Sequence, residues 1–496
     1  MWVDWIKKML HGSPAADPGT QARALFDAGE TDRARMICLD ILRDHPGSLT
    51  ALRLLADVAF VRGSREGDVA RVRAGIALNP GDSELPYLYG RLLEAEDDLP
   101  GAAAAYRNAL KLDPGRAKAH NNLGCVLQNM GQTKAALDCF HRAIASDPGL
   151  WQAHFNLGNY HKLHGRLEDA IGPYQNAVRL QRTPGPASAE AASLFDKTCR
   201  PKLVHEIEQL NYLADQGVLP EQHRAAIGAL QQVLQRLEPD FARQYIVSMP
   251  ADLPAEAAQL YNRLVYMRDT PALAGPAVNP NQDFAAVEAD YFRNAPGLTY
   301  LDDFLTPDAL DGLRRYCLES TLWFDFHYTN GYLGANLEQG FGCPLLVQIA
   351  DELRRALPGI FGEHRITHLW AYKYDSQLSG INVHADFAAV NVNFWLTPDE
   401  ANLSPESGGL VVWNKEAPLD WDFATFNRDI PRIERFLRDS GAEATAIPHK
   451  QNRVVMFNSD LFHKTDDFVF RPGFENRRIN VTMLYGDRQM AGNSKV

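Results

Sequence analysis

Along the first third of the chain, small, aromatic and proline residues recur every 34 positions: Pro46, Pro80, Pro114 and Pro148; Gly90, Gly124 and Gly158; Ala109, Ala143 and Ala177; Tyr106, Phe140 and Tyr174. Each interval predicts a pair of packed helices, because glycine and alanine let two helices approach closely and proline stops the second of each pair. The clearest copies are Ala119-His120-Asn121-Asn122-Leu123-Gly124 and Ala153-His154-Phe155-Asn156-Leu157-Gly158, and four to five units fit between residues 19 and 182, the first ones degraded. From 183 to 290 the beat is lost while helical stripes persist. Leu203, Ile207, Leu210 and Ala214 form one; after Gly217 and Pro220, residues Ile227, Leu230, Val233, Leu234 and Leu237 form another. This pattern predicts a capping bundle, followed by a linker marked by Pro271, Pro276 and Pro280.

Beyond residue 291 the period changes from helical to two. Arg453-Val454-Val455-Met456-Phe457 reads as a buried strand, and Asn391-Val392-Asn393-Phe394 alternates polar with apolar. In Arg478–Tyr485 the alternation puts Arg478, Asn480 and Thr482 on one face, expected to be wet, and Ile479, Val481 and Met483 on the other. A 34-residue period is that of tetratricopeptide repeats, which residues 19–182 resemble. The resemblance implies a solenoid whose concave face takes a peptide or protein. Asn121, Asn122, Asn156 and Asn159 lie on first helices, where they serve either a peptide backbone or plain solvation.

Composition narrows the function classes. A chain of 496 residues exceeds what one core serves, so two or three domains are expected. Its 50 basic and 62 acidic side chains leave a net charge of -12, which argues against nonspecific nucleic-acid binding. Six cysteines without a Cys-x-x-Cys pair suggest neither a disulfide framework nor a zinc site and fit a cytoplasmic setting. No run of 18 apolar residues is present to span a bilayer. Met1–Leu10 is too short and charged for a signal peptide and reads as a tail or a short amphipathic helix. Nothing in the sequence specifies an oligomer.

The chemistry concentrates in His384-Ala385-Asp386, with His463 and Arg478 further on. Side chains two apart on an extended segment leave from the same face, so His384 and Asp386 can reach one ion. His463 follows the apolar run at 453–457 and brings the third ligand from a remote strand. Two imidazoles and a carboxylate with positions left open suit non-haem Fe(II). Arg478 can fork onto a carboxylate, with Arg477 the weaker candidate on the opposite face. His364 and His368 lie four apart, but their surroundings read as a strand approach rather than a metal-binding helix. Trp413 and Lys415 are candidates for substrate contact or for plain exposed strand positions.

Residues 296–490 resemble Fe(II)/2-oxoglutarate-dependent dioxygenases of the prolyl-hydroxylase-like type. The similarity runs, in order, through Leu298–Pro307, Tyr372-Lys373-Tyr374, Gly380, His384-Ala385-Asp386, Asn391–Thr397, Ser407-Gly408-Gly409-Leu410-Val411-Val412-Trp413 and Asn452–Phe457. It implies a double-stranded β-helix (jelly roll) with flanking helices at 291–490. It further implies Fe(II) held by His384, Asp386 and His463, 2-oxoglutarate anchored by Arg478, and ascorbate as a reductant. Tyr374, or else Tyr372, is expected beside the co-substrate, both sharing a face with Trp370. Asn391 and Asn393 either face the co-substrate or are edge-strand polar positions; Asn393 is the one taken as co-substrate-binding. The expected function is hydroxylation of a side chain in a peptide or protein recruited by the repeats. The alternatives are a catalytically idle adaptor and an oxygenase of a small metabolite or glycan.

Overall fold

The computed structural model describes residues 17–63, 67–184, 189–328, 331–375, 377–378 and 381–488. The Met1–Leu10 segment and Gly380 lie outside them. The chain divides into two compact units, 1–157 and 158–496.

The first unit is a run of antiparallel helix pairs: α1 (Pro18–Asp27) with α2 (Thr31–Asp44), α3 (Leu49–Arg62) with α4 (Asp68–Leu78), α5 (Glu84–Ala95) with α6 (Leu99–Leu112), and α7 (Ala117–Asn129) with α8 (Thr133–Ser146). The recurrence of glycine and an aromatic has a direct cause. A Cβ on Gly90 would lie 2.6 Å from the Tyr106 ring and one on Gly124 2.6 Å from Phe140, so the ring of each second helix occupies the space above the glycine of the first. Gly158 and Tyr174 repeat the arrangement at 2.7 Å between α9 (Trp151–Leu163) and α10 (Leu167–Arg182).

The division falls inside α9 rather than at 182/183, where the 34-residue period ends. The reason is what covers α10. Ile171 sits 3.0 Å from where a Cβ on Gly342 would be, Val178 packs at Gly340, Gln175 Nε2 donates to Gly342 O at 2.7 Å, and Lys162 pairs with Glu338.

Both stripes read between 183 and 290 are buried in one cluster formed by α11 (Arg200–Asp215), α12 (Arg224–Phe241) and α13 (Ala255–Leu260). Beside it, β1 (Lys197–Thr198) pairs with β2 (Val247–Ser248). This bundle is not a free cap. From α11, Lys202 Nζ donates to Trp323 O at 2.8 Å, and Gln209 Nε2 donates to the carbonyls of Leu318 and Ser320 at 2.9 and 3.0 Å. Nor does the proline-marked segment hang loose. Leu273 N donates to Gln348 Oε1 at 2.6 Å, and Ala277 N and Val278 N both donate to Glu352 Oε2 at 2.8 Å. After α14 (Phe284–Arg293) and α15 (Pro307–Glu319), the helix presenting those two acceptors is α16 (Pro344–Ala356).

The remainder is rich in antiparallel sheet. Six strands run in the order β3-β10-β7-β13-β5-β4 and three in the order β11-β8-β9. Their ranges are β3 Leu298–Leu301, β4 Leu333–Asn336, β5 Ile366–Lys373, β6 Gln377–Leu378, β7 Val390–Trp395, β8 Leu410–Glu416, β9 Ala444–Ile447, β10 Val454–Asn458, β11 Leu461–Thr465, β12 Phe468–Val469 and β13 Ile479–Tyr485. A separate pair, β6 and β12, is also antiparallel. The two larger sheets share one core of Trp395, Leu410, Val412, Ile447, Val455 and Phe457. Two expectations are corrected by this layering. Every residue of β13 is buried, so its polar face is interior rather than wet, and β7 lies mid-sheet, so Asn391 and Asn393 are not edge positions.

Candidate metal centre

His384 does not sit on a full strand. A single antiparallel bridge holds it, with His384 N donating to His463 O at 3.0 Å and His463 N to His384 O at 2.8 Å. Asp386 N is tied to Ser459 O at 3.1 Å. These bonds bring a remote strand, β11, against the 384–386 segment. One ligand-capable atom from each of His384, Asp386 and His463 then lies within 4.8 Å of the others. His384 Nε2 is 3.8 Å from Asp386 Oδ1, and His463 Nε2 is 3.5 Å from Asp386 Oδ2.

Orientation is set one layer out. His384 Nδ1 bonds the Asn382 carbonyl at 2.8 Å and His463 Nδ1 the Leu461 carbonyl at 3.0 Å. A carbonyl only accepts, so each Nδ1 carries the proton and each Nε2 offers a lone pair to the shared point, the usual arrangement of metal-binding imidazoles. Burial and the neighbouring His463 lower the His384 pKa, which keeps that ring neutral. Burial pushes the Asp386 carboxyl upward, but the neighbouring His463 and His384, with the Asn391 amide, hold it below the usual carboxylate range. A carboxylate and two imidazoles form a donor set that fits a divalent transition metal.

Asn391 is what the sequence reading left unassigned. Its Nδ2 donates to Asp386 Oδ2 at 2.6 Å, and its own Oδ1 accepts from Asn393 Nδ2 at 2.6 Å. Asn393 Oδ1 in turn accepts from Asn480 Nδ2 at 2.9 Å and Thr482 Oγ1 at 2.7 Å. Because Asn391 Oδ1 already accepts from Asn393, the amide of Asn391 turns its NH2 toward the carboxylate. The available signal was a pair of asparagines two apart in an otherwise apolar strand.

Arg478 is fully buried. Its Nε donates to Gly408 O at 2.6 Å and its Nη2 to Gly409 O at 3.2 Å, while Nη1 is buried with no partner. The glycine pair permits this approach. Gly408 has φ +83°, and a Cβ on Gly409 would fall 1.9 Å from Ile447 O. The Arg478 guanidinium lies 4.8 Å from the Tyr374 ring centroid. An orphaned N–H on a buried cation fits a carboxylate. Arg477 is committed elsewhere, bonding Glu208 on α11 at 2.7 Å with Asp375 at 3.6 Å.

A cavity of about 590 Å³ opens over the three ligand residues. Tyr374, Asn393, Thr465, Asn480 and Thr482 line it on the side of β13, and Trp370, Tyr372, Tyr332 and Tyr328 form an aromatic wall. Tyr374 OH lies 3.4 Å from Thr465 Oγ1, whereas Tyr372 packs edge-on against Tyr332 and Tyr328. Tyr374 is therefore the tyrosine beside Arg478. His368 packs on Phe387, and burial lowers its pKa to about 4; it stands apart from the ligand set, as does His364. Trp413 is half-buried, away from this cavity, beside a smaller recess bordered by Asp290 and Tyr300, and Lys415 borders neither.

Models of the tetratricopeptide repeat match residues 20–83 and 117–150, and a TPR-repeat model matches 90–131. The amino-terminal part of the chain is thus a tetratricopeptide-repeat array, the class of scaffold that binds peptides and proteins. Among solved structures, the chain is similar to MamA, at 21% identity over 32% of this chain and 93% of that one, with a TM-score of 0.30. It is also similar to YrrB, described as a TPR protein with an unusual peptide-binding site, at 21% identity over 36% and 91%, TM-score 0.29. A third is Pseudomonas aeruginosa pilF, at 16% identity over 45% and 90%, TM-score 0.31. No curated protein matches the chain. All six cysteines are free, and no helix among the described residues is long and apolar enough to cross a membrane.

Proposed function

We propose that the chain is an Fe(II)- and 2-oxoglutarate-dependent dioxygenase that hydroxylates a side chain of a peptide or protein recruited by its repeats. The observation that carries this reading is the convergence of His384, Asp386 and His463, with ligand atoms within 4.8 Å of one another, beneath an open cavity. The strand order supports a double-stranded β-helix. β5, β13, β7 and β10 form one continuous series, and the His384 bridge, β11, β8 and β9 form the facing one. Iron, 2-oxoglutarate and O2 bound together supply the oxidation: 2-oxoglutarate loses carbon dioxide and keeps one oxygen atom as succinate, and the other oxygen enters a substrate C–H bond.

The chain's own residues supply position and a controlled environment. His384, Asp386 and His463 would hold the iron, and the Nδ1 bonds of both imidazoles fix their orientation. Arg478, through its unpartnered Nη1, would take the distal carboxylate of 2-oxoglutarate, with Tyr374 and Asn393 alongside. Trp370, Tyr372 and Tyr332 form an apolar wall that keeps bulk water from the reacting face.

The test is turnover by the full chain supplied with ferrous iron, ascorbate and 2-oxoglutarate. Succinate release, lost in Asp386→Ala, supports the reading, as does a gain of one oxygen on peptides of an incubated cell extract. A chain that retains no iron and releases no succinate favours the second reading, an adaptor that assembles partners on its repeats. That reading draws on the repeat-family matches at 20–83, 90–131 and 117–150.

A further inference from the structure

Away from the metal-centre cavity, a groove of about 520 Å³ runs between the segment at Phe195 and the stretch 249–263. Its walls are apolar, formed by Phe195, Met249, Pro250, Leu253 and Ala258, and Arg263 enters it. Arg263 is only 4% exposed, and its guanidinium lies 3.6 Å from the Phe195 ring centroid. Among the described residues no carboxylate pairs with it, and its Nε is buried without a hydrogen-bond partner. Asp196 also borders the groove yet makes no ion pair with Arg263. Burial lowers the pKa of this guanidinium. Some arginines of the same unit are matched by an acid, Arg477 with Glu208, Arg268 with Glu319 and Arg453 with Asp302, whereas buried Arg182 and Arg478 bond backbone carbonyls instead. An uncompensated buried cation is costly, and a partner that brings a negative charge removes the cost.

The backbone points the same way. Asn262, just before Arg263, has φ +55°, a left-handed conformation unfavourable for a side-chain-bearing residue. Two bonds hold it there. Asn262 Nδ2 donates to Leu194 O at 2.7 Å, and Asn262 O accepts from Arg182 Nη1 at 2.9 Å. Strain maintained by neighbours in this way gathers at ligand sites. Here it accompanies the delivery of an arginine into an apolar groove where, among the described residues, no acid pairs with it.

We infer that this groove binds a carboxylate borne on an apolar chain, the carboxylate forking onto Arg263 and the chain lying along Met249, Pro250, Leu253 and Ala258. Two sources present that chemistry: a free aliphatic acid, or the last residue of a polypeptide with an aliphatic side chain. The site is separate from the ligand triad and does not depend on the oxygenase reading.

The test is calorimetric titration of the full chain with decanoate, with decanol, and with a short leucine-ended peptide as free acid and as amide. Binding of a carboxylate ligand but not of its neutral counterpart, weakened at least about 30-fold in Arg263→Met, is the expected result. The tighter of decanoate and the peptide acid then names the source. Equal affinity in wild type and Arg263→Met overturns the proposal, as does binding of the neutral analogues with the same affinity, or no binding of either acid. Melting curves establish that Arg263→Met is folded. Should it not be, Ala258→Trp, which fills the groove, takes its place, and unchanged carboxylate binding in that variant is equally fatal.

Discussion

At the scale of the residue, Asp386 is the candidate ligand whose surroundings matter most, because Asn391 already occupies its Oδ2 at 2.6 Å. Asn391→Leu removes that donor and also strips Asn393 Nδ2 of its acceptor inside a buried layer. Cobalt(II) affinity, read by calorimetry, should fall about 10- to 100-fold, the usual consequence of losing an outer partner of a metal ligand. An affinity within twofold of wild type would show that the amide chain does not position the carboxylate. Arg478→Ala should raise the 2-oxoglutarate concentration needed for half-saturation steeply, since loss of a buried charged partner costs roughly 2 to 5 kcal/mol. An unchanged requirement would remove Arg478 from the co-substrate site, and Arg477, paired to Glu208, is poorly placed to replace it.

At the scale of the element, the pairing of β8 with β9 depends on a missing side chain where it begins, at Gly409. A methyl on Gly409 would meet backbone at Ile447 O, 1.9 Å away, so Gly409→Ala must push two strands apart. We expect a loss of about 1 to 3 kcal/mol of stability or more, the range for overpacking. The Gly408 and Gly409 carbonyls that anchor Arg478 would shift with the strands. A melting temperature equal to that of wild type would contradict the close approach. The glycines of the repeats follow the same logic, each facing a ring from the next helix. Their 34-residue recurrence was legible in the sequence because one local contact is copied again and again. The convergence of His384, Asp386 and His463 as candidate ligands was legible through spacing and order. Asn391 was not, since its role depends on a carboxylate that the strand register brings beneath it.

At the scale of the whole molecule, histidines buried in neutral form tie stability to pH. His205 has its pKa lowered well below the ordinary value by burial and by Lys373 and Arg477. Burial likewise lowers His449 to about 3 and His368 to about 4. The folded values lie below the unfolded value of about 6.5, so below that pH the unfolded chain takes up protons that the folded one refuses. Stability is therefore retained above about pH 6.5 and falls as the pH drops, by roughly 1.4 kcal/mol per unit for each such histidine. Asp460 acts in the opposite sense. Burial raises it to about 6, so it favours the folded state on the acid side, but one carboxyl does not offset three imidazoles. Thermal melts should show a lower midpoint at pH 5 than at pH 7, with part of the difference abolished in His449→Phe. A midpoint independent of pH would refute the assignment.

The sequence by itself determined the repeat array, the two helical stripes behind it and the change to strand periodicity, because each is a short-range pattern that local sterics and burial impose. The ligand trio was within its reach as well, as candidates. Only the tertiary structure decided that α10 packs on residues 337–356, that β7 and β13 lie inside and carry their polar residues into a cavity, and that Arg477 is taken by Glu208 while Arg478 keeps a free N–H. Those facts depend on which remote segments meet. No local period encodes such meetings; they follow from the packing of whole sheets and helices against one another.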